Sequence, residues 1–241
     1  MSKTKQEIEK VFKNEVAPLS SLATQAYQNA VVTMDTVELS RLLVINPTSK
    51  IKKINKSFVD GDIVDATNTE TLSAQGEKLN VIPFALKFSV YVYSVENDRK
   101  ELIAVHPYTG KVPYESEIDG KPVIQVPAIT AFMLMTKDIE SGVSLPCVFT
   151  FKGSSYQAGK KLNTIMNVKN KMAGRAPWAS VVSLFSVEKK NEKNEWFAMD
   201  VSQVKDRGSS DKELAAAEFW YSQFAGGKVV EEELSDEDAT F

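Results

Sequence analysis

Apolar residues along the chain change their period several times, and each change marks an element. Between residues 4 and 30, Ile8, Val11, Phe12 and Val16 recur at helical spacing, Pro18 interrupts, and Leu19, Leu22, Ala23, Ala26 and Ala30 resume. This predicts a helical arm over 1–35, broken once, that packs on the core or pairs two copies into a homodimer. Residues 39–80 read as short strands and turns: LLVINP stops at Pro47, TSKIKKINKSF is basic and polar, and Asp60 and Gly61 mark a turn. Asp60, Asp62 and Asp65 lack the calcium-loop spacing with its later glutamate, so they are read as turn carboxylates.

A period of two is strongest over 81–153. Phe84, Leu86, Phe88, Val90 and Val92 alternate with Ala85, Lys87, Ser89, Tyr91 and Tyr93, which predicts a strand with an apolar face and a face carrying Lys87 and both tyrosines. Residues Val143 to Lys152 form a second such strand, with ENDRKE and a long polar excursion between the two. From Ser155, a candidate cap, Ala158, Leu162, Ile165 and Met166 give a helical stripe, while Lys160, Thr164, Asn167 and Lys171 fall on another side. Gly174 and Pro177 end that helix. Trp178 to Val187 and Glu195 to Val201 read as strands joined by KKNEKN. SDKELAAAEFWYSQFAGG then carries a capping box, a helical body and terminal glycines. The expected fold is mainly β with added helices: an OB-like antiparallel β-barrel or sandwich over 36–205, a carboxyl-terminal helix over 206–227, and a disordered acidic tail over 228–241.

Charge sharpens this division. The 241 residues hold 29 Lys and Arg against 32 Asp and Glu, for a net charge of −3, and the last eleven, EEELSDEDATF, carry −6. Setting the tail aside leaves +3 for residues 1–230. Within that body Lys152 to Arg175 contains Lys152, Lys160, Lys161, Lys169, Lys171 and Arg175 and no acid. The single cysteine, Cys147, builds no disulfide framework and reads as a small buried hydrophobe. No apolar run reaches the roughly 18 residues of a membrane span, and the amino terminus lacks the apolar core of a signal peptide. A soluble protein in a reducing compartment is expected.

Catalytic motifs are absent from the sequence. His106 stands alone beside Pro107 in what reads as a polar loop, and neither GxxxxGK[ST] nor GxGxxG occurs. No catalytic residue, metal ligand or cofactor is assigned, and the chain is read as a non-enzyme. Nonspecific single-strand binding needs a positive groove for phosphates and aromatic faces for bases. Lys87, Tyr91 and Tyr93 share one strand face, with Arg99 and Lys100 in the adjoining hairpin. Lys152, Tyr156, Lys160, Lys161, Lys171 and Arg175 form a second cluster, followed by Trp178. Each has an ordinary alternative: a second apolar layer for the tyrosines, a solvated helix face for the lysines, and core packing for Trp178.

The tail gives the most specific signal, an acidic run ending in a large aromatic. EEELSDEDATF resembles the tails of the single-stranded DNA-binding proteins of tailed bacteriophages. That resemblance implies that Glu231, Glu232, Glu233, Asp236, Glu237, Asp238 and Phe241 recruit phage replication proteins such as polymerase or helicase. It also implies that the tail competes for the DNA groove during phage replication or recombination. Two other classes stay open: a phage structural or assembly protein whose tail docks a protein partner, and a regulatory module acting on a host enzyme.

Overall fold

The computed structural model describes residues 39–96, 99–142 and 144–226; the expected arm over 1–35 and tail over 228–241 lie outside the described residues. The strands are β1 (Ser40–Val44), β2 (Ile63–Asp65), β3 (Glu70–Ser73), β4 (Leu79–Glu96), β5 (Arg99–Pro107), β6 (Glu115–Ile118), β7 (Lys121–Met135), β8 (Pro146–Lys152), β9 (Ser180–Lys190) and β10 (Glu195–Gly208). A short helix α1 (Thr136–Glu140) follows β7. After β8 come α2 (Tyr156–Asn163), a π-helical stretch (Thr164–Lys169) and α3 (Asn170–Met172), and α4 (Asp211–Gly226) closes the described chain.

All ten strands belong to one sheet, ordered β10-β9-β4-β7-β8-β1-β2-β3, with β5 and β6 paired to β4 and β7 off that path. The long strands β4 and β7 change neighbours along their length. β4 meets β9 over Leu79–Val81 and β5 over Ser89–Glu96. β7 meets β6 over Lys121–Ile124 and β8 over Ala128–Leu134. The pairing is antiparallel except where β1 lies parallel to β8.

Alternation along β7 sorts the core onto two faces. Ile129, Ala131 and Met133 join Phe149, Phe151, Leu162, Ile165 and Met166 under α2. Phe132 and Leu134 turn the other way and join Ile82, Phe84, Trp220 and Phe224 under α4. The expected grouping of Phe84 with Leu86 is corrected by a bulge. Pro83 lies opposite Met133 and Ala85 opposite Phe132, so the extra residue Phe84 packs under α4 while Leu86 packs under α2.

Closure into an OB-like barrel or a sandwich is contradicted, because the sheet is open. β10 has β9 as its one strand neighbour among the described residues. On its other edge, Phe197 N–H donates to Asn46 Oδ1 (2.6 Å) and Met199 N–H to Ser155 Oγ (2.9 Å). Leu162 of α2 shares a buried cluster with Phe151 of β8 and with Met199 and Val201 of β10, so the helix occupies the gap a closing ladder would cross. Side chains and a helix bridge this seam in place of strand hydrogen bonds.

Local expectations fare better. Ala158, Leu162, Ile165 and Met166 are buried, and Lys160, Thr164, Asn167 and Lys171 are exposed. Gly174 takes a positive φ of 66°, and Arg175 N–H bonds Asn170 O at 2.8 Å, which ends the helix with glycine in the left-handed region. The capping box of α4 is formed: Ser210 N–H donates to Glu213 Oε2 (2.6 Å) and Glu213 N–H to Ser210 Oγ (3.4 Å). Asp62 accepts from Val59 and Gln75 N–H, Asp65 from Thr67 and Asn68 N–H, and Asp60 pairs with Lys52. Asp62 and Asp65 thus play the turn roles expected of them, and Asp60 makes an ion pair. His106 differs from its expected loop setting: it lies exposed on β5, opposite Val90.

Cys147 is fully buried on β8, and its thiol donates to Met133 O at 3.4 Å. Burial pushes the thiol above its ordinary range, with the charges of Asp138 and Asp65 adding to the shift and a backbone hydrogen bond opposing it. The folded chain therefore keeps a proton that the unfolded chain loses above about pH 8.5. This contribution to stability is complete below that pH. It falls as pH rises, by about 1.4 kcal/mol per pH unit. Native protein is expected to resist iodoacetamide at pH 8 and to react once unfolded; fast labelling of the native state would contradict this burial.

Candidate functional site

The register across β4, β7 and β8 places the residues proposed to bind nucleic acid. Lys87 lies opposite Thr130, Tyr91 opposite Val126, Tyr93 opposite Ile124, and Lys152 opposite Ala128. These β7 partners are even-numbered, so all four side chains lie on the α4 face of the sheet. There the two tyrosines stack 6.5 Å apart in a buried cluster with Val126 and Ala128. Tyr91 is 2% exposed and Tyr93 0%. Lys152 Nζ stands 5.1 Å from the Tyr91 ring centre and 5.9 Å from that of Tyr93, and donates to Tyr93 Oη at 3.2 Å. In this geometry the tyrosines form a packed layer capped by an ammonium.

Of the second cluster, Lys152 thus joins the tyrosines, and the helix cations lie on the opposite side of the sheet. Helix α2 packs on the Ile129, Phe149 and Phe151 face, so Lys160, Lys161, Lys171 and Arg175 project from the far surface of the molecule. Lys161 pairs with Asp200 at 2.7 Å, and Lys160 Nζ stands 6.0 Å from the Tyr156 ring centre. Burial raises the Tyr156 hydroxyl above its usual value, with Tyr108 a smaller contributor. Tyr91 and Tyr93 therefore lie on one face of the sheet and the helix cations on the other, with Lys152 on the tyrosine side.

The remaining residues are also separated. Lys100 is exposed on β5 opposite Val95, and Arg99 opens that strand opposite Glu96. Trp178 is half-buried in the seat of α4, 4.7 Å from the Tyr221 ring, and its carbonyl accepts from Ser209 Oγ at 3.1 Å. Glu231, Glu232, Glu233, Asp236, Glu237, Asp238 and Phe241 lie outside the described residues. Among the described residues no three His, Cys, Asp or Glu side chains form a metal-binding group, and no helix is long and apolar enough to cross a membrane.

A different site escaped the sequence reading. At the seam, a cleft of about 500 Å³ opens between the end of β1, the end of β8 and the β9–β10 hairpin. Asn46, Ser49, Lys50, Thr150, Trp196 and Phe197 are among its walls. Sequence gave KKNEKN as a loop and nothing more, because residues some 150 apart in the chain supply the opposite walls. Gly61 fixes the Phe197 wall: it has a φ of 89°, and a Cβ added there would stand 2.9 Å from the Phe197 ring. The cleft offers amide, hydroxyl and ammonium groups beside aromatic surface, a combination suited to recognition.

The chain matches no curated protein and no solved structure. Residues 13–230 match a family of phage proteins described as "Pam3 phage gp34-like protein". With a match over that much of its length, the chain belongs to the Pam3 phage gp34-like family.

Proposed function

We propose that this protein is a structural or assembly protein of the phage that works by docking onto protein partners. The observation that carries the reading is the half-sheet β5-β4-β7-β6. Its outer strands β5 and β6 each have one strand neighbour among the described residues. Large apolar side chains stand open on and beside these edges: Ile103 is 50% exposed, Tyr114 55% and Ile118 40%. Unshared strand edges with apolar side chains are templates for association. Family membership supports a phage role, and the burial of Tyr91 and Tyr93 in a packed layer gives base stacking on them less support than docking has.

The test is to purify particles, treat them with nuclease, and probe for the chain by mass spectrometry and immunoblot. We expect it to remain with the particle or with an assembly intermediate after nuclease treatment. Complete absence from both, or release by nuclease, would defeat the reading. Single-stranded DNA binding keeps one supporting observation, the exposed cations Lys160, Lys169, Lys171 and Arg175 of the acid-free segment that holds α2 and α3. In that reading the acidic tail competes with DNA for them, and fluorescence anisotropy on a labelled single strand would show tight, salt-sensitive binding.

A further inference from the structure

We propose that the seam cleft receives an extended acidic peptide segment of a partner protein, added as a strand along β8. This rests on the docking reading and names its surface.

The backbone supplies the first argument. β1 and β8 share two register pairs, Ser40 with Cys147 and Arg41 with Val148, and then part while both strands continue. Arg41 O accepts from Ala66 N–H, and Ile45 N–H donates to Asp62 O. Odd-numbered residues of β1 therefore turn their backbone groups toward β2, and Leu42 and Val44 turn theirs toward β8 and the cleft. By the same alternation Thr150, two residues past Val148, presents its N–H and C=O along the open edge of β8. The edge from Phe149 to Lys152 runs about 13 Å at the usual strand rise, long enough for a four-residue strand. The cleft volume of about 500 Å³ falls among those that hold ligands.

Charge selects the occupant. Lys50 lines the cleft, and Lys53 and Lys56 stand exposed in the adjoining turn. No ion pair among the described residues uses these three, whereas Lys52 is taken by Asp60 and the lining Glu195 is taken by Lys190. The mouth is therefore positive, and a carboxylate-bearing segment is favoured there. Trp196 and Phe197 give the alternate side chains an apolar wall. The Asn46 contact to Phe197 N–H and the close approach of Gly61 hold that wall in place before anything binds.

The full-length chain is tested against an array of overlapping peptides that tile the proteins of the purified particle, with residues 231–241 of this chain included. The strongest peptide is then titrated by anisotropy against wild type, Lys50→Glu and Thr150→Pro, with circular dichroism as the check on folding. We expect acidic peptides with alternating apolar residues to bind, and each variant to weaken binding by about tenfold or more. Proline at position 150 removes a donor that faces the cleft and not the β7 ladder. Lys50→Glu changes only an exposed side chain, so it remains informative if Thr150→Pro does not fold. Binding unaffected by Lys50→Glu overturns the proposal, as does a chain present in particles that binds no peptide. If residues 231–241 bind best, the cleft serves self-association and the partner assignment is wrong. Absence from particles would instead count against the docking reading itself.

Discussion

Trp220→Ala is expected to cost about 3–5 kcal/mol, the usual range for emptying an aromatic core site. Trp220 is 6% exposed, and its indole Nε1–H donates to Ser144 O at 2.7 Å. Around it Phe224 meets Phe84 edge-on at 5.1 Å and Phe132 at 4.5 Å, so one turn of α4 supplies the rings that cover this end of the sheet. Truncation leaves a void beside Phe84 and Phe132 and takes the donor from the Ser144 carbonyl. Single domains have about 5–15 kcal/mol of stability in all, so the loss should shift the urea midpoint far down. Trp220→Phe keeps most of the ring and loses the hydrogen bond, and should cost nearer 1–2 kcal/mol. A loss below about 1 kcal/mol for Trp220→Ala would mean that α4 contributes little to the seat described above.

The second large effect is a coupled one between Phe151 and Gly159. Phe151 is fully buried beneath α2, and a Cβ added at Gly159 would stand 2.7 Å from the Phe151 Cβ and 3.2 Å from that of Ile129. Phe151→Ala should cost about 3–5 kcal/mol through the cavity it leaves. Gly159→Ala alone should cost about 1–3 kcal/mol, because α2 must lift from the sheet despite the better helix propensity of alanine. The alanine side chain keeps the Phe151 Cβ but removes the ring, which gives the helix room to shift. In that background Gly159→Ala should cost less than it does alone, with a residue left by the retained contacts to the β-carbons of positions 151 and 129. Equilibrium unfolding of the four proteins gives the coupling; additive losses would show that ring packing does not dictate glycine at position 159.

Some of this architecture could be read from the chain because its causes are local. The stripe Ala158, Leu162, Ile165 and Met166 needs only helical spacing, and the box Ser210 to Glu213 needs only three residues. A helix counted at 3.6 residues per turn still goes out of phase after Met166. The π-helical stretch Thr164–Lys169 admits an extra residue, so Asn170 turns inward, where it donates to Pro177 O and accepts from Ser180 Oγ. The bulge at Phe84 likewise defeats a strict period of two. The tyrosine face of β4 was visible as a pattern, but its burial depends on neighbours contributed by β5 and β7. The parallel pairing of β1 with β8 joins residues more than a hundred apart, and the contact that holds the seam, Asn46 to Phe197, spans 151. Strand alternation reports which residues lie in a sheet; it does not report whether its edges meet.

The seam also bears on how easily this fold changes by mutation. A strand ladder is made by the backbone, so almost any sequence change leaves its hydrogen bonds available. The edge of β10 instead depends on the amide of Asn46 and the hydroxyl of Ser155, two side chains that a single nucleotide change can remove or restore. The polar half of the seam can therefore be removed at individual positions, while the β9–β10 ladder and the packing of Leu162 on Met199 and Val201 stay in place.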